Sequence, residues 1–368
     1  MERIRDCETG VVRVAILSPV WFPVPPTGYG GIEWIVHLLA DGLVDAGVDV
    51  TLFASGDSRT KARLESVFDE APSEWIGHTF WELQHAAACM EQATEGRFDI
   101  VHDHSGLLAL ALGALEPVPF VHTVHGPLDG EAGGVYESIC RMAPRAHLVS
   151  VTYAQRRPKP ALPWLANCPN ALDLDLYPFD PGNDGYLLFL GRMSPDKGAH
   201  RAIAVARAAG VPLRLAGKCR EPFEQAYFEA QVMPGLGDGV EYLGEVTHTE
   251  KVELLQRARS TIFPIDWEEP FGLVMIESMA CGTPVVATRR GSVPEVLDDG
   301  VTGIIVDDHR EMVDALSRAD ALDPRVLRRT AEERFAPQRM VDNHLAVYEQ
   351  AIALDRDRAG RGAGPAGL

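Results

Sequence analysis

The 368-residue chain is 46% apolar and 24% charged, a globular composition long enough for two domains. Its formal net charge of −19 argues against a nucleic-acid partner and against broad adhesion to anionic membranes, while leaving room for a local basic pocket that takes a small anion. No run of about 18 apolar residues predicts a transmembrane segment. The charged stretch Met1 to Gly10 lacks the apolar core of a signal peptide. The six scattered cysteines form no CxxC pair and read as reduced thiols of a cytoplasmic protein.

The first half alternates strands and helices. Val11 to Leu17 reads as a buried strand, followed by a helix over Gly31 to Ala46, where Ile35, Leu38, Leu39 and Leu43 recur at helical spacing. Strands at Val48 to Phe53, Phe98 to His102, Phe120 to Val124 and Ala146 to Val151 interleave with helices at Trp81 to Ala93, Gly106 to Leu115 and Val135 to Met142. That order implies a parallel sheet with right-handed crossovers. Pro178, Pro181, Gly182 and Gly185 make a Pro/Gly-rich break, which sets a domain boundary between residues 182 and 183. A second series follows. Its strands are Tyr186 to Leu190, Val211 to Ala216, Val240 to Leu243, Ser260 to Pro264, Pro284 to Ala287 and Thr302 to Val306. Its helices start near Pro195, Glu221, Thr247 and Phe271, and the last run from Glu311 to about Leu354. The Gly/Ala/Pro-rich stretch 359–368 reads as a disordered tail.

Four segments carry chemistry. The first follows strand YLLFL: Gly191 and Arg192, then Asp196, Lys197 and Gly198 before a helix. A guanidinium fork and an ammonium beside a strand-to-helix turn suit phosphate oxygens; the plainer reading is an exposed loop. The second runs Glu268-Glu269-Pro270-Phe271-Gly272-Leu273-Val274-Met275-Ile276-Glu277. Pro270 suits a first helical turn, and the free N–H groups of that turn can meet a diphosphate. If every step is helical, Glu269 and Glu277 lie about 12 Å apart along the axis, too far for a glycosidase pair, which needs roughly 5–9.5 Å. Glu277 sits among apolar neighbours and requires a partner. The third follows the first strand and runs from Trp21 to Glu33, a loop with Gly28, Gly30 and Gly31 that opens a helix without matching GxGxxG. The fourth is a pair of histidine sites at strand ends, His102-Asp103-His104 and Thr123-Val124-His125-Gly126. The HDH run suggests a metal, but no distant ligand set accompanies it, so no metal site is assigned. His125 is the better functional candidate, as a hydrogen-bonding group at the sheet edge that holds ligands in such folds.

Taken together these segments resemble glycosyltransferase family 4. The matching stretches are GRMSPDKG at 191–198, EPFGLVMIESMACGTPVVAT at 269–288, GSVPEVLDDGVTGIIV at 291–306 and GGIE at 30–33. DIVHDHS at 99–105, HTVHG at 122–126 and PNALDLDLYPF at 169–179 match more weakly. The resemblance implies the GT-B fold: two Rossmann-like doubly wound parallel-sheet domains facing a central cleft. An acceptor-binding domain would span 1–182 and a donor-binding domain 183–358, with the C-terminal helix packing back towards the first. It also implies a retaining, metal-independent transfer of sugar from a nucleotide-sugar donor to a small-molecule, glycan or lipid-linked acceptor, with no cofactor. On this resemblance Arg192 and Lys197 would bind the diphosphate, Glu269 the donor-sugar hydroxyls and Glu277 the ribose. Phe271, Gly272, Leu273 and Val274 would meet phosphates and sugar, His125 would lie near the transferred sugar, and Gly30 and Gly31 would close over the donor. Asp173-Leu174-Asp175 mimics a metal-binding DxD but lies in the family's strand-to-linker segment. Two positions depart from the family pattern: Ala216-Gly217-Lys218-Cys219 stands where a Gly-x-Gly turn is usual, and Ala171 follows Asn170 where glycine is usual. The alternatives are a sugar-nucleotide epimerase, a non-catalytic nucleotide-sugar-binding protein, and a dehydrogenase, which lacks its glycine fingerprint here.

Overall fold

The computed structural model describes residues 5–6, 10–28, 30–113, 117–143 and 145–362. The chain divides into two compact units, one of residues 1–171 with 337–368 and one of residues 172–336.

In the first unit the strands are β1 (Arg13–Leu17), β2 (Asp49–Phe53), β3 (Arg63–Glu65), β4 (Ile100–Asp103), β5 (Phe120–Val124), β6 (Ala146–Ser150) and β7 (Trp164–Asn167). They pair in parallel in the order β3-β2-β1-β4-β5-β6-β7. The helices are α1 (Gly31–Asp45), α2 (Thr79–Thr94), α3 (Leu107–Gly113) and α4 (Glu131–Met142). Strand β1 is apolar on both faces, as a sheet covered by helices on both sides requires: Val14, Ala15, Ile16 and Leu17 are fully buried, while β4 and β5 are equally buried but carry His102, Asp103, His122 and Thr123. The sequence reading misses β3 and β7. Both are short edge strands of half-exposed residues without a hydrophobic pattern. The helix expected over Gly106 to Leu115 is α3, whose later expected residues lie outside the described ones.

The second unit repeats the plan. Its strands β8 (Leu187–Leu190), β9 (Leu213–Ala216), β10 (Val240–Tyr242), β11 (Ser260–Phe263), β12 (Val285–Thr288) and β13 (Gly303–Val306) pair in parallel in the order β10-β9-β8-β11-β12-β13. Its helices are α5 (Ala199–Ala209), α6 (Pro222–Tyr227), α7 (His248–Arg257), α8 (Leu273–Cys281), α9 (Val293–Val296), α10 (Met312–Ala319) and α11 (Pro324–Phe335). Each unit is thus a doubly wound sheet whose order reverses beside its first strand, the GT-B pairing of two Rossmann-like domains.

The Pro/Gly break does not separate the units. Gly182 and Asp184 donate their N–H groups to the carbonyls of Gln256 and Arg257 at 2.7 and 2.9 Å, which fastens the break to the end of α7 inside the second unit. The chain returns to the first unit in α12 (Pro337–Gly362), which packs on α1, β5 and β7. A side chain added at Gly42 of α1 would come within 2.5 Å of Val341 Cγ2, so the two helices meet there at glycine distance. Because α12 runs to Gly362, part of the expected tail is helical, and 363–368 lie outside the described residues.

The loops after β8 and β9 are in backbone contact. Gly191 N–H donates to Ala216 O at 3.1 Å and Met193 N–H to Lys218 O at 2.8 Å. Gly217 sits at φ 151, and a Cβ there would fall 1.9 Å from the carbonyl oxygen of Gly191. The departure from the family's Gly-x-Gly turn therefore keeps the glycine that the geometry demands. Gly217→Ala should destabilise the second unit by about 2–5 kcal/mol, combining backbone strain with a clash against main chain. Urea unfolding of the variant checks this, and an unchanged midpoint would refute it.

Candidate active site

The second unit's site is assembled at its switch point, between β8 and β11. Gly198, at φ 81, ends the turn after β8 and starts α5. This left-handed residue is why the helix begins at Ala199 and not at Pro195. Arg201 locks the neighbouring loop, donating to Pro264 O at 2.6 Å and to Pro195 O and Asp196 O at 2.9 and 3.1 Å. Asp266 N–H donates to Asp196 O at 2.9 Å. Held in this way, Lys197 forms an ion pair with Glu269, and its ammonium lies 4.8 Å from the Trp267 ring centre. Trp267 also donates its indole N–H to Glu269 Oε2 at 3.0 Å. Arg192 reaches Asp196 at 3.7 Å. The two cations expected side by side are thus each matched with a carboxylate.

Glu269 and Glu277 do not lie on one helix. Gly272 caps α8 at φ 79, and Pro270 lies before it. Ser292 Oγ donates to Phe271 O at 2.7 Å and Ser292 N–H to Glu269 O at 2.9 Å, so those carbonyls are committed before a helix can use them. The axial rise expected between the two glutamates therefore does not apply. Gly291, at φ 49, lets this clamp close: a Cβ there would meet Glu269 N at 2.3 Å. No side chain caps α8, so its first-turn N–H groups at Leu273 and Val274 stay available to an anion. Glu277 has its expected partners. It accepts from Tyr177 OH at 2.7 Å and from Lys251 Nζ at 2.7 Å. Burial pushes its carboxyl up, but Lys251 and Tyr177 outweigh this and hold it below the ordinary value.

The first unit's site is built mainly from neutral groups. Gly30, at φ 150, precedes α1, which begins at Gly31 without a side-chain cap. Glu33 in the first turn is buried, and desolvation raises its pKa to about 7. His102 bonds Tyr348 OH at 2.7 Å and Thr123 Oγ1 at 2.8 Å. His104 Nδ1 lies 2.9 Å from His125 Nε2. Asp103 bridges His122 Nδ1 at 2.5 Å and Ser105, whose N–H and hydroxyl donate to it at 2.7 and 2.6 Å; His122 in turn meets Tyr136 OH at 2.8 Å. Gln155 donates to Val124 O at 2.7 Å and Gly126 O at 2.9 Å, fixing the backbone on both sides of His125. Asp173 Oδ1 accepts from Asp175 N–H at 3.1 Å and so caps its own turn. Among the described residues no three His, Cys, Asp or Glu side chains are disposed to hold an ion, and no helix is long and apolar enough to cross a membrane.

The sequence model of Glycosyltransferase Family 4 matches residues 29–171, and that of Glycosyl transferases group 1 matches residues 179–329. The chain belongs to glycosyltransferase family 4. It is 28% identical to a D-inositol 3-phosphate glycosyltransferase of Arthrobacter sp. (strain FB24), over 82% of this chain and 85% of that one. It is 27% identical to a glycogen synthase of Mycobacterium tuberculosis (strain CDC 1551 / Oshkosh), over 78% and 81%. The crystal structure of AviGT4, a glycosyltransferase involved in avilamycin A biosynthesis, superposes with a TM-score of 0.68 at 26% identity, covering 93% of this chain and 98% of that one. Anabaena Alr3699/HepE in complex with UDP shares the fold, with a TM-score of 0.71 at 20% identity over 92% and 100%. The chain is accordingly an enzyme that transfers sugars, and neither the epimerase nor the non-catalytic alternative is favoured.

Several residues that hold the candidate site escape sequence reasoning. Trp267 shares the loop of Glu269, whereas Tyr177, Lys251 of α7, Arg201 of α5, Ser292 and Gln155 reach the assigned residues or their loops from elsewhere in the chain. Only Trp267 gives a local signal, two positions before Glu269. The histidine layer of the first unit has a measurable consequence. Burial lowers the pKa of His85 and His344 to about 4 and that of His125 to about 3, and holds His102 and His104 well below 6.5. The unfolded chain takes up these protons near pH 6.5, so stability is retained above that value and lost as pH falls towards 4. One unit below 6.5, each such histidine costs about 1.4 kcal/mol. Glu33 opposes them, because its raised pKa makes the fold bind a proton that the unfolded chain lacks. The net expectation is a loss of several kcal/mol between pH 7.5 and 5.5. Urea midpoints across that range test it, and a flat or rising series would contradict it.

Proposed function

We propose that this enzyme is a retaining glycosyltransferase that moves a sugar from a nucleoside-diphosphate donor to an acceptor hydroxyl by front-face attack. The observation that carries the reading is the Lys197–Glu269–Trp267 cluster at the β8/β11 switch point, beside the uncapped start of α8. A diphosphate needs cations and N–H donors at one place, and this is where open parallel sheets bind ligands. In this reading Arg192, Lys197 and the amides at Gly272, Leu273 and Val274 take the diphosphate, with Phe271 beside them. Glu277 accepts the ribose hydroxyls, and Glu269 accepts from the donor-sugar hydroxyls. His125 donates to the transferred sugar, and Gly30 and Gly31 offer backbone close to it.

The chemistry balances without a cofactor or a metal. The acceptor oxygen forms a bond to the anomeric carbon as the bond from that carbon to the diphosphate oxygen breaks. The acceptor's proton passes to an oxygen of the departing diphosphate. Negative charge builds on that diphosphate, where the cations and the helix start are already oriented. Attack from the leaving-group side preserves the anomeric configuration, and Glu269 stabilises positive charge on the sugar without needing to bond to it.

Two outcomes test the reading. Arg192→Ala and Lys197→Ala should each weaken nucleoside-diphosphate binding and lower kcat/KM roughly ten- to a hundred-fold, the size of one charge-assisted hydrogen bond. Titration calorimetry and initial rates with the matched donor measure this, and wild-type values in both variants would remove the phosphate assignment. With an α-linked donor, proton NMR should show an α-linked product at its first appearance. A β-linked first product would overturn retention.

A further inference from the structure

We propose that His104 is a positioning residue that fixes His125 as its Nδ1–H tautomer, so that His125 meets its ligand as a neutral hydrogen-bond donor. This deepens the role given to His125 above and rests on it. His104 is buried, and its Nδ1 lies 2.9 Å from His125 Nε2, with the rings stacked at 5.1 Å. Both imidazoles are held neutral, so the contact contains one hydrogen. Two arrangements are possible. In one, the hydrogen belongs to His125 Nε2, and the hydrogen of His104 is then on its own Nε2. That atom is buried and has no hydrogen-bond partner, so this arrangement strands an N–H donor in the interior. In the other, the hydrogen belongs to His104 Nδ1, and His104 Nε2 is a bare lone pair. An unpaired buried acceptor is tolerated better than an unpaired N–H. The second arrangement therefore wins, and it leaves the hydrogen of His125 on Nδ1.

The surroundings keep this choice in place. His125 is only partly buried, and its Nδ1 makes no hydrogen bond among the described residues. Gln155 pins the carbonyls of Val124 and Gly126 on either side, which fixes the backbone that carries the ring. Behind His104, the His102 ring lies 4.2 Å away and is itself fixed at both nitrogens by Tyr348 and Thr123. A chain of contacts thus runs from α12 through His102 and His104 to His125. What it delivers is an N–H aimed away from the interior. A sugar hydroxyl or ring oxygen can accept from that N–H, and the donor keeps its character across the ordinary pH range.

The test reads the tautomer directly. Histidine ring nitrogens are labelled with 15N in the full-length enzyme, and the His125 signals are identified by their loss in His125→Gln. At neutral pH the wild type should show a protonated Nδ1 and a bare Nε2 at His125. His104→Phe keeps the ring volume but removes the donor, and the His125 signals should move towards the other tautomer. His104→Asn places an amide N–H near the position of Nδ1 and should restore them. In parallel, His104→Phe should lower kcat/KM roughly ten-fold, the worth of one hydrogen bond, while nucleoside-diphosphate affinity stays unchanged. A wild-type His125 protonated at Nε2 would overturn the proposal, and that spectrum needs no variant to fold. So would His125 signals that do not move in a folded His104→Phe. If the tautomer is as stated but no donor supports sugar transfer, the functional reading fails and the structural assignment stands.

Discussion

In a parallel sheet every connection must cross one face, and strands added on either side of the first send their crossovers over opposite faces. At the point of reversal the loops leaving two neighbouring strands part, and no helix fills the gap between them. Both units are built on this constraint. In the second, β8 and β11 are neighbours in space although β9 and β10 intervene in sequence, so Lys197 and Glu269 meet across 72 residues. In the first, β1 and β4 hold the same relation, and the segments that leave them carry Gly30 and His104. Right-handed crossover and strand order therefore select which loops carry chemistry before any side chain is chosen.

Once the loops are selected, glycine and short polar residues set their shape. Gly217 allows the β8 and β9 loops to touch through main chain. Gly291 and Ser292 draw the segment after β12 onto the one that carries Glu269. Each close approach fixes a backbone carbonyl or amide, and each fixed backbone limits the rotamers of the charged residue beside it. The rigidity of the cluster thus comes from main-chain contacts made by residues that never touch a ligand. This is how a loop can hold an ion pair in a narrow geometry without a large apolar contact of its own.

The fold was legible in the sequence because buried parallel strands are continuous apolar runs, and VVRVAIL, YLLFL and STIFPI announce themselves. The edge strands β3 and β7 were not, since an edge strand of half-exposed residues lacks both a run and an alternation. The candidate site residues stand out in the sequence where glycines and charges cluster locally, as in GRMSPDKG and EPFG. Their partners do not. Lys251 and Tyr177 serve Glu277 across 26 and 100 residues, and no spacing rule links them to it. The division at Ala171 was also hidden, because Pro178 to Gly185 has the composition of a linker and yet is tied by main-chain bonds to α7. Composition reports the freedom of an isolated segment, whereas the boundary depends on which neighbour that segment bonds.

The two units solve the problem of buried polarity in opposite ways. The second keeps its charges and pairs them: Lys197 with Glu269, Lys251 with Glu277, Arg192 with Asp196. In a chain of net charge −19 an unpaired cation would gather solvent anions or its own surface carboxylates, so a local acid partner keeps it in position. In the function proposed above, a diphosphate brings more charge than one carboxylate and would compete for the same ammonium. The histidine layer of the first unit holds fewer charges, with the buried Asp103 carboxylate paired to His122 and Ser105. Desolvation holds His85, His102, His104, His125 and His344 well below the ordinary imidazole value, so at neutral pH these rings offer direction without charge. Such a surface suits the hydroxyls of a neutral sugar, for which an ammonium or a carboxylate would demand desolvation that one hydroxyl contact does not return. Charge is thus concentrated at the β8/β11 switch point of the second unit, and directed neutral hydrogen bonding at the histidine layer of the first.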